Sequence, residues 1–281
     1  MTAVILGANG QLGRALRAEF PDAVALDRAT LDVSDAEAVR RYDWSGVVVV
    51  LNAAAYTNVD AAQDPANLAA VRGANTDAVA HLSEAAEAHG FTLVHVSTEY
   101  VFDGRHPGPI PEDLPPSPLS VYGQSKADGD RYVTALERHY LLRTTWVVGD
   151  GGNFVATMAS LADRGVQPTV VDDQVGRPTF TADLAAGIGH LVRTRAPYGT
   201  YNLTNDGDPA SWADVAAAVF EARGRSASDV GQISTEKYFA DKPQAAVRPL
   251  NSVLDLAKIT GAGFRPRDWR TALDDYLAAG I

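Results

Sequence analysis

Apolar and polar positions change their spacing several times along the chain, and each change marks an element. Val4, Ile5 and Leu6 run directly into glycines at positions 7, 10 and 13. Leu12, Ala15, Leu16 and Phe20 then recur at helical spacing. This predicts strand, tight turn and helix. Ala23 to Asp27 is a second short strand ending in an acid. Asp35 to Arg41 is expected to be helical, with Ser34 as its N-cap. Val47 to Leu51 is an unbroken apolar run, as in a strand buried on both faces of a parallel sheet. A long helical pattern covers about residues 66–88, and Thr92 to Ser97 is the next strand. Residues 105–118 hold six prolines and predict a loop without regular structure. Tyr122 to Arg138 is helical in pattern and Tyr140 to Thr144 extended. Strand–helix alternation of this kind implies βαβ crossovers and a parallel sheet covered on both faces.

Past the Gly149-Asp150-Gly151-Gly152 stretch the rhythm is less regular. The expected elements are a helix from Phe154 to Arg164, a strand at Thr169 to Val171 and a loop from Asp172 to Phe180. A helix at Thr181 to Val192, a strand at Tyr201 to Leu203 and a helix at Ala210 to Arg223 follow. The chain closes with a polar irregular segment and a helix at Trp269 to Ala279. The fold class is therefore α/β: a Rossmann-type doubly wound parallel sheet with a smaller C-terminal α/β lobe. Residues 1–150 and about 168–194 are assigned to the dinucleotide-binding domain, and about 151–167 and 195–281 to a substrate-binding lobe. Such a lobe forms a cleft over the carboxyl ends of the strands, where open α/β sheets bind ligands.

Composition narrows the partners. The 281 residues are 46% hydrophobic and 21% charged, enough for a real core. A net charge of −11 argues against nucleic acid or an anionic membrane surface. No stretch approaches the roughly 20 apolar residues of a membrane span. The first strand begins at once, without a secretory pattern. The chain has no cysteine, which excludes disulfides and thiolate catalysis and fits a reducing compartment. A cytoplasmic location is the expectation. The six histidines, among them His95, show no metal-ligand spacing and are read as solvated or core groups. No metal is expected.

The glycines at 7, 10 and 13 allow positive φ and close backbone approach. The helix that follows directs free N–H groups at the turn, which suits a dinucleotide phosphate. Asp27 can accept hydrogen bonds from an adenosine ribose and so favour NAD. Arg28, beside it, suits a 2′-phosphate instead. Both readings stay open. Asp32 and Val33 are placed beside the adenine. Ala53, Ala54 and Ala55 follow a strand and let a flat cofactor lie against backbone. Thr98, at another strand end, can hydrogen-bond a substrate carbonyl. Tyr122 and Lys126 are at i and i+4, on one helix face. A phenol titrating near pH ~10 is a poor proton donor at neutral pH. A neighbouring ammonium favours the phenolate and brings it toward the useful range.

The order of these motifs resembles the extended short-chain dehydrogenase/reductase superfamily. More closely, the chain resembles the dTDP-4-dehydrorhamnose reductase family. The resemblance is carried by Gly7-Ala8-Asn9-Gly10-Gln11-Leu12-Gly13, Asn52 to Asp60, Ser97 to Gly104, Val121 to Lys126, Arg143 to Val147, Asn153-Phe154, Asp173 to Thr179 and Arg248 to Asp255. It implies hydride transfer from NADPH or NADH to C4 of a dTDP-linked 4-keto-6-deoxyhexose. It assigns Tyr122 as proton donor, Lys126 as its partner and ribose ligand, and Thr98 as the carbonyl's guide. Asn9, Gln11 and Leu12 join the cofactor residues. Val59, Asp60, Glu99, Trp146, Asn153, Gln174 and Arg248 are expected to face the substrate, with Arg248 on the diphosphate.

Two departures from the family pattern stand out. Glu99 takes the place of the usual aspartate after the threonine, one methylene longer. Ala15 takes the place of a carboxylate through which some relatives dimerise around Mg²⁺, so a monomer or weak dimer is expected. A dehydratase would need a second carboxylate where Tyr100 stands. An epimerase would keep its cofactor between turnovers. A non-catalytic nucleotide-binding subunit would have no use for the intact Thr98, Tyr122 and Lys126.

Overall fold

A computed structural model describes residues 2–280. Its centre is one six-stranded sheet: β1 (Thr2–Leu6), β2 (Val24–Leu26), β3 (Val47–Asn52), β4 (Thr92–Thr98), β5 (His139–Thr144) and an edge strand, Gly199–Asn202. The spatial order is Gly199–Asn202, β5, β4, β3, β1, β2, and every pairing is parallel. The apolar run at Val47 has the double-sided burial expected of a central strand, with Val50 and Leu51 at 0% and 1% exposure.

Helices cover both faces. Gln11–Glu19 and Thr181–Thr194 pack on one side, burying Leu16, Leu184 and Ile188 against Ile5, Val94 and Leu142. Ala36–Arg41, Ala78–His89 and Val121–Thr134 cover the other, with Val39, Leu82 and Val133 against Val4, Val50 and Leu93. The second lobe has its own core around Val155, Met158, Val219, Phe220, Trp269 and Leu273.

Several sequence expectations are corrected. The Gly199–Asn202 strand, expected in the smaller lobe, is the edge of the main sheet. Thr169–Val171, expected in the dinucleotide domain, pairs instead with Gly231–Ile233 in the lobe. A strand that short carries no periodicity to say which sheet it joins. The helix at Ala36 is capped by Asp35, not Ser34: Asp35 Oδ1 accepts from the N–H groups of Glu37 (2.9 Å) and Ala38 (3.3 Å). The Ser34 hydroxyl is already engaged by Asp32 Oδ1 at 2.6 Å. The long helical run over 66–88 contains a π turn at Gly73–Asp77, between Leu68–Arg72 and Ala78–His89. The proline-rich loop is stitched to the C-terminal segment, since the Ile110 N–H donates to the Val253 carbonyl at 2.7 Å. The 172–180 loop holds two very short strands, Val175–Gly176 and Thr179–Phe180.

Candidate active site

The glycine turn is set by backbone crowding. Gly7 has φ +71°, and a Cβ there would lie 2.7–2.9 Å from backbone atoms of Ala53 and Ala54. A Cβ at Gly13 would overlap the Gly7 carbonyl. Two strand ends and a helix start therefore meet with no room for side chains. Gly10 is the N-cap of the Gln11–Glu19 helix with no side-chain bond to its free N–H groups, leaving them for an anion. The cleft beside the turn measures about 710 Å³ and is lined by Gly7, Asn9, Gly10, Asp27, Arg28, Asp32, Val33 and Ala53 to Ala55, among others. Its size and crowded glycine floor fit a dinucleotide. The structure thus gathers these predicted residues in one place.

Leu12 and Gln11 sit on the first turn of that helix, and Gln11 Nε2 donates to the Gly152 carbonyl at 2.9 Å, tying the turn to the start of the second lobe. Asp27 Oδ1 accepts from the Thr30 N–H (2.9 Å) and hydroxyl (2.8 Å), and Oδ2 from Asn9 Nδ2 (3.0 Å). These bonds, Thr30's first, hold its carboxyl below the usual range. Arg28 pairs with Asp32 at 3.1 Å on the surface. Ala15 is partly buried against the sheet core. Among the described residues no three His, Asp or Glu side chains are grouped as metal ligands.

Across the sheet edge, Ser120 caps the Val121–Thr134 helix, accepting from the Gly123 N–H at 3.1 Å. The helix closes on its neighbours because Gly123 and Gly129 have no side chain where the Tyr100 and Asn75 carbonyls lie. Tyr122 and Lys126 are both buried on its inner face. Lys126 Nζ donates to the Val96 carbonyl at 2.8 Å and lies 3.1 Å from His95 Nε2. Burial lowers its pKa to about 8. Tyr122 differs from the sequence expectation: burial, reinforced by Glu99, pushes its phenol up, and only Thr98 pulls it down. Lys126 Nζ is turned toward β4, where it meets the Val96 carbonyl and His95.

Thr98 Oγ1 donates to Glu99 Oε2 at 2.7 Å and accepts from the Tyr100 N–H at 3.2 Å. Glu99 is 2% exposed, and burial raises its carboxyl to about 7. The acid is thus buried and bonded to the Thr98 hydroxyl.

The residues expected to face the substrate are mostly engaged by protein partners. Arg248 pairs with Asp60 at 2.8 Å and stacks over Phe239, 4.6 Å from the ring centre. Gln174 is buried and donates to Thr235 Oγ1 at 3.0 Å. Trp146, with φ +45°, stacks on Trp212 at 3.8 Å. Val59 packs near Tyr122 and Tyr100. Asn153, expected to face substrate, is a structural cap instead. Its Oδ1 accepts from the Ala156 N–H, and its Nδ2 donates to the Gly149 carbonyl and the Tyr276 hydroxyl.

Sequence reading missed a layer behind the pair. Asn75, in the π turn, bonds the Tyr56 backbone on both sides (2.8 and 3.1 Å) and the Ser125 hydroxyl (3.0 Å). Asp130 receives the Ser97 hydroxyl at 2.9 Å and faces Arg143 at 3.9 Å. His95 meets Lys126. A signal existed: positions 95 and 97 share one strand face, and 126 and 130 share one helix face.

Comparison with known proteins agrees with the geometry. The family described as RmlD substrate binding domain matches residues 1–280. A dTDP-4-dehydrorhamnose reductase of Aggregatibacter actinomycetemcomitans is 39% identical, covering 98% of each chain. A probable dTDP-4,6-dihydroxy-2-methyloxan-3-one 4-ketoreductase of Streptomyces antibioticus is 40% identical over 98% of this chain and 96% of that one. The crystal structure of a Bacillus anthracis dTDP-4-dehydrorhamnose reductase in complex with NADP superposes with a TM-score of 0.90 at 31% identity, covering 99% of each chain. The fold, the crowded glycine turn and the buried Tyr122–Lys126 pair thus coincide with full-length similarity, and the chain belongs to the dTDP-4-dehydrorhamnose reductase family.

Proposed function

We propose that this protein reduces the C4 ketone of dTDP-4-dehydro-β-L-rhamnose to dTDP-L-rhamnose, with NADPH or NADH as reductant. The observation that carries the reading is the buried Tyr122–Lys126 pair at the carboxyl edge of the sheet, next to a dinucleotide-sized cleft. The glycine turn and the Gln11–Glu19 N-terminus hold the diphosphate, Ala53 to Ala55 the flat rings, and Asp27, Arg28, Asp32 and Val33 the adenosine end. A reduced nicotinamide, when bound, supplies the hydride. Tyr122 gives its proton to the oxygen that becomes the C4 hydroxyl, and Lys126 stabilises the phenolate left behind. Thr98 turns its hydroxyl from Glu99 to the ketone and fixes its direction.

Arg248 exchanges Asp60 for the substrate diphosphate, a planar donor set suited to phosphate oxygens. Val59, Trp146 and Gln174 line the sugar's side. The enzyme acts in the cytoplasm as a monomer or weak dimer, without a bridging metal. Among the described residues no helix is long and apolar enough to cross a membrane.

The Streptomyces antibioticus relative supports a second reading, a sibling 4-ketoreductase of another deoxysugar pathway. One assay separates the two: turnover of dTDP-4-keto sugars of both C5 configurations with each cofactor, products identified by NMR. Reduction of the L-configured sugar to the rhamnosyl product is the expected result. Cofactor binding without oxidation on any substrate would identify a non-catalytic subunit. Purified protein that already carries tightly bound NAD would favour an epimerase.

A further inference from the structure

Buried groups behind the Tyr122–Lys126 pair form one line of polar contacts. The Ala54 N–H donates to Asn52 Oδ1 at 3.1 Å. Asn52 Nδ2 lies 3.0 Å from His95 Nδ1. His95 Nε2 lies 3.1 Å from Lys126 Nζ, which also donates to the Val96 carbonyl. Asn52, His95 and Lys126 are 2%, 0% and 1% exposed, so bulk solvent does not reach them.

The line has a direction. A backbone N–H only donates, so it holds the Asn52 carbonyl toward Ala54 and the amide nitrogen toward His95. Asn52 Nδ2 donates, so His95 Nδ1 accepts. Burial, then the neighbouring Lys126, hold the ring well below the usual imidazole range, so it is neutral and carries one proton. That proton sits on Nε2 and faces Lys126. Every bond in the line is made when Nζ is an uncharged amine, accepting from Nε2–H and donating to Val96. An ammonium would meet Nε2–H donor to donor. Relief would require the ring proton to move to Nδ1 and Asn52 to turn its amide over, breaking its bond to Ala54.

We propose that His95, fixed in its Nε2–H form by Asn52 and the Ala54 N–H, is a positioning residue that opposes charge on Lys126 and so sets the pH range in which the Tyr122–Lys126 pair works. The proposal rests on the roles given to those two residues above. Other groups act on Lys126 as well. Asp130, one turn along the same helix, favours the ammonium, but it shares its charge with Arg143 of β5 and its Oδ2 with the Ser97 hydroxyl. Tyr122 is one turn back on the same helix, with Glu99 beyond it. Ala54 is also the residue that Gly7 crowds, so the backbone N–H at the head of the line lies on the wall of the cofactor cleft.

The test reads the ring directly. A two-bond ¹H–¹⁵N spectrum of the cofactor-free protein, with His95 assigned by its loss in His95→Gln, is expected to show the neutral Nε2–H form at about pH 9, where Lys126 has lost its charge. An Nδ1–H or doubly protonated ring would overturn the proposal. Asn52→Asp places only acceptors against Nδ1. It is expected to move the ring proton to Nδ1 and raise the Lys126 pKa by at least about one unit, tenfold in proton affinity. The Lys126 side-chain ¹³Cε shift reads that change, and the alkaline limb of kcat should move up by the same amount. A folded variant with unchanged tautomer and lysine titration would also overturn it. The tautomer is read without turnover, so failure of this inference is distinguishable from failure of the assigned reaction.

Discussion

The two sides of the cleft are built in opposite ways. The cofactor side is mostly backbone: Gly7 and Gly13 are pressed against carbonyls and amides, and Gly10 leaves a helix N-terminus open. The substrate side is mostly side chains bonded to one another, Arg248 to Asp60, Gln174 to Thr235 and Trp146 on Trp212. The first is preorganised, because its donors have no competing partner. Under the proposed function the second would exchange partners on binding substrate, which costs affinity but lets recognition depend on the diphosphate and the sugar together. Tyr122 and Lys126 are buried on the Val121–Thr134 helix, with Lys126 Nζ on the Val96 carbonyl of β4.

Four substitutions break or sharpen this contrast, from the largest effect to the smallest. Gly7→Ala forces a side chain into positive φ and into the Ala53–Ala54 backbone. It should cost about 3 kcal/mol or more of stability and abolish cofactor binding, read by chemical denaturation and cofactor titration. Normal cofactor affinity in a stable variant would refute the preorganised picture.

Glu99→Gln comes next. The buried acid is raised to about 7, so the folded state holds a proton that the unfolded state releases near pH ~4.5. Stability from this group is therefore full below that lower value and is lost as pH rises through about 7. The whole swing is on the order of 3 kcal/mol. The amide removes it, so the variant should gain on the parent from pH 5 to pH 8 in denaturation midpoints. Parallel pH profiles would show that the acid is not held neutral.

Tyr122→Phe keeps the fold and the cleft and should lower kcat by at least ~100-fold, about 2.7 kcal/mol on the barrier. Near-normal turnover would remove the phenol from its role. Arg248→Ala should raise KM by about tenfold, roughly 1.4 kcal/mol, with little change in kcat, because the lost contact holds substrate before and during reaction alike. A fall in kcat with unchanged KM would place Arg248 at the reacting centre instead of the diphosphate.

The succession of β1 to β5 in a parallel sheet, the crowded glycine turn and the Tyr122–Lys126 face were legible because each rests on local periodicity or on residues close in sequence. The capping role of Asn153 was not legible because a helix cap and a substrate ligand use the same amide, and its bonds to Gly149 and Tyr276 arise only in the folded chain. The Gly199–Asn202 strand was assigned to the wrong lobe because four residues fit either sheet, and the pairing with β5 is a long-range choice.

The sequence by itself therefore determined the element order, the glycine turn and the helix face that carries Tyr122 and Lys126. Tertiary structure alone decided what stands behind that pair. His95 reads as an ordinary polar group until β4 and the Val121–Thr134 helix bring its Nε2 to Lys126. Tyr122 reads as lysine-activated until burial, reinforced by Glu99, raises its phenol, and Nζ is found on the Val96 carbonyl. Charge states in a core depend on desolvation and on which donor meets which acceptor, and both arise only when distant segments close together.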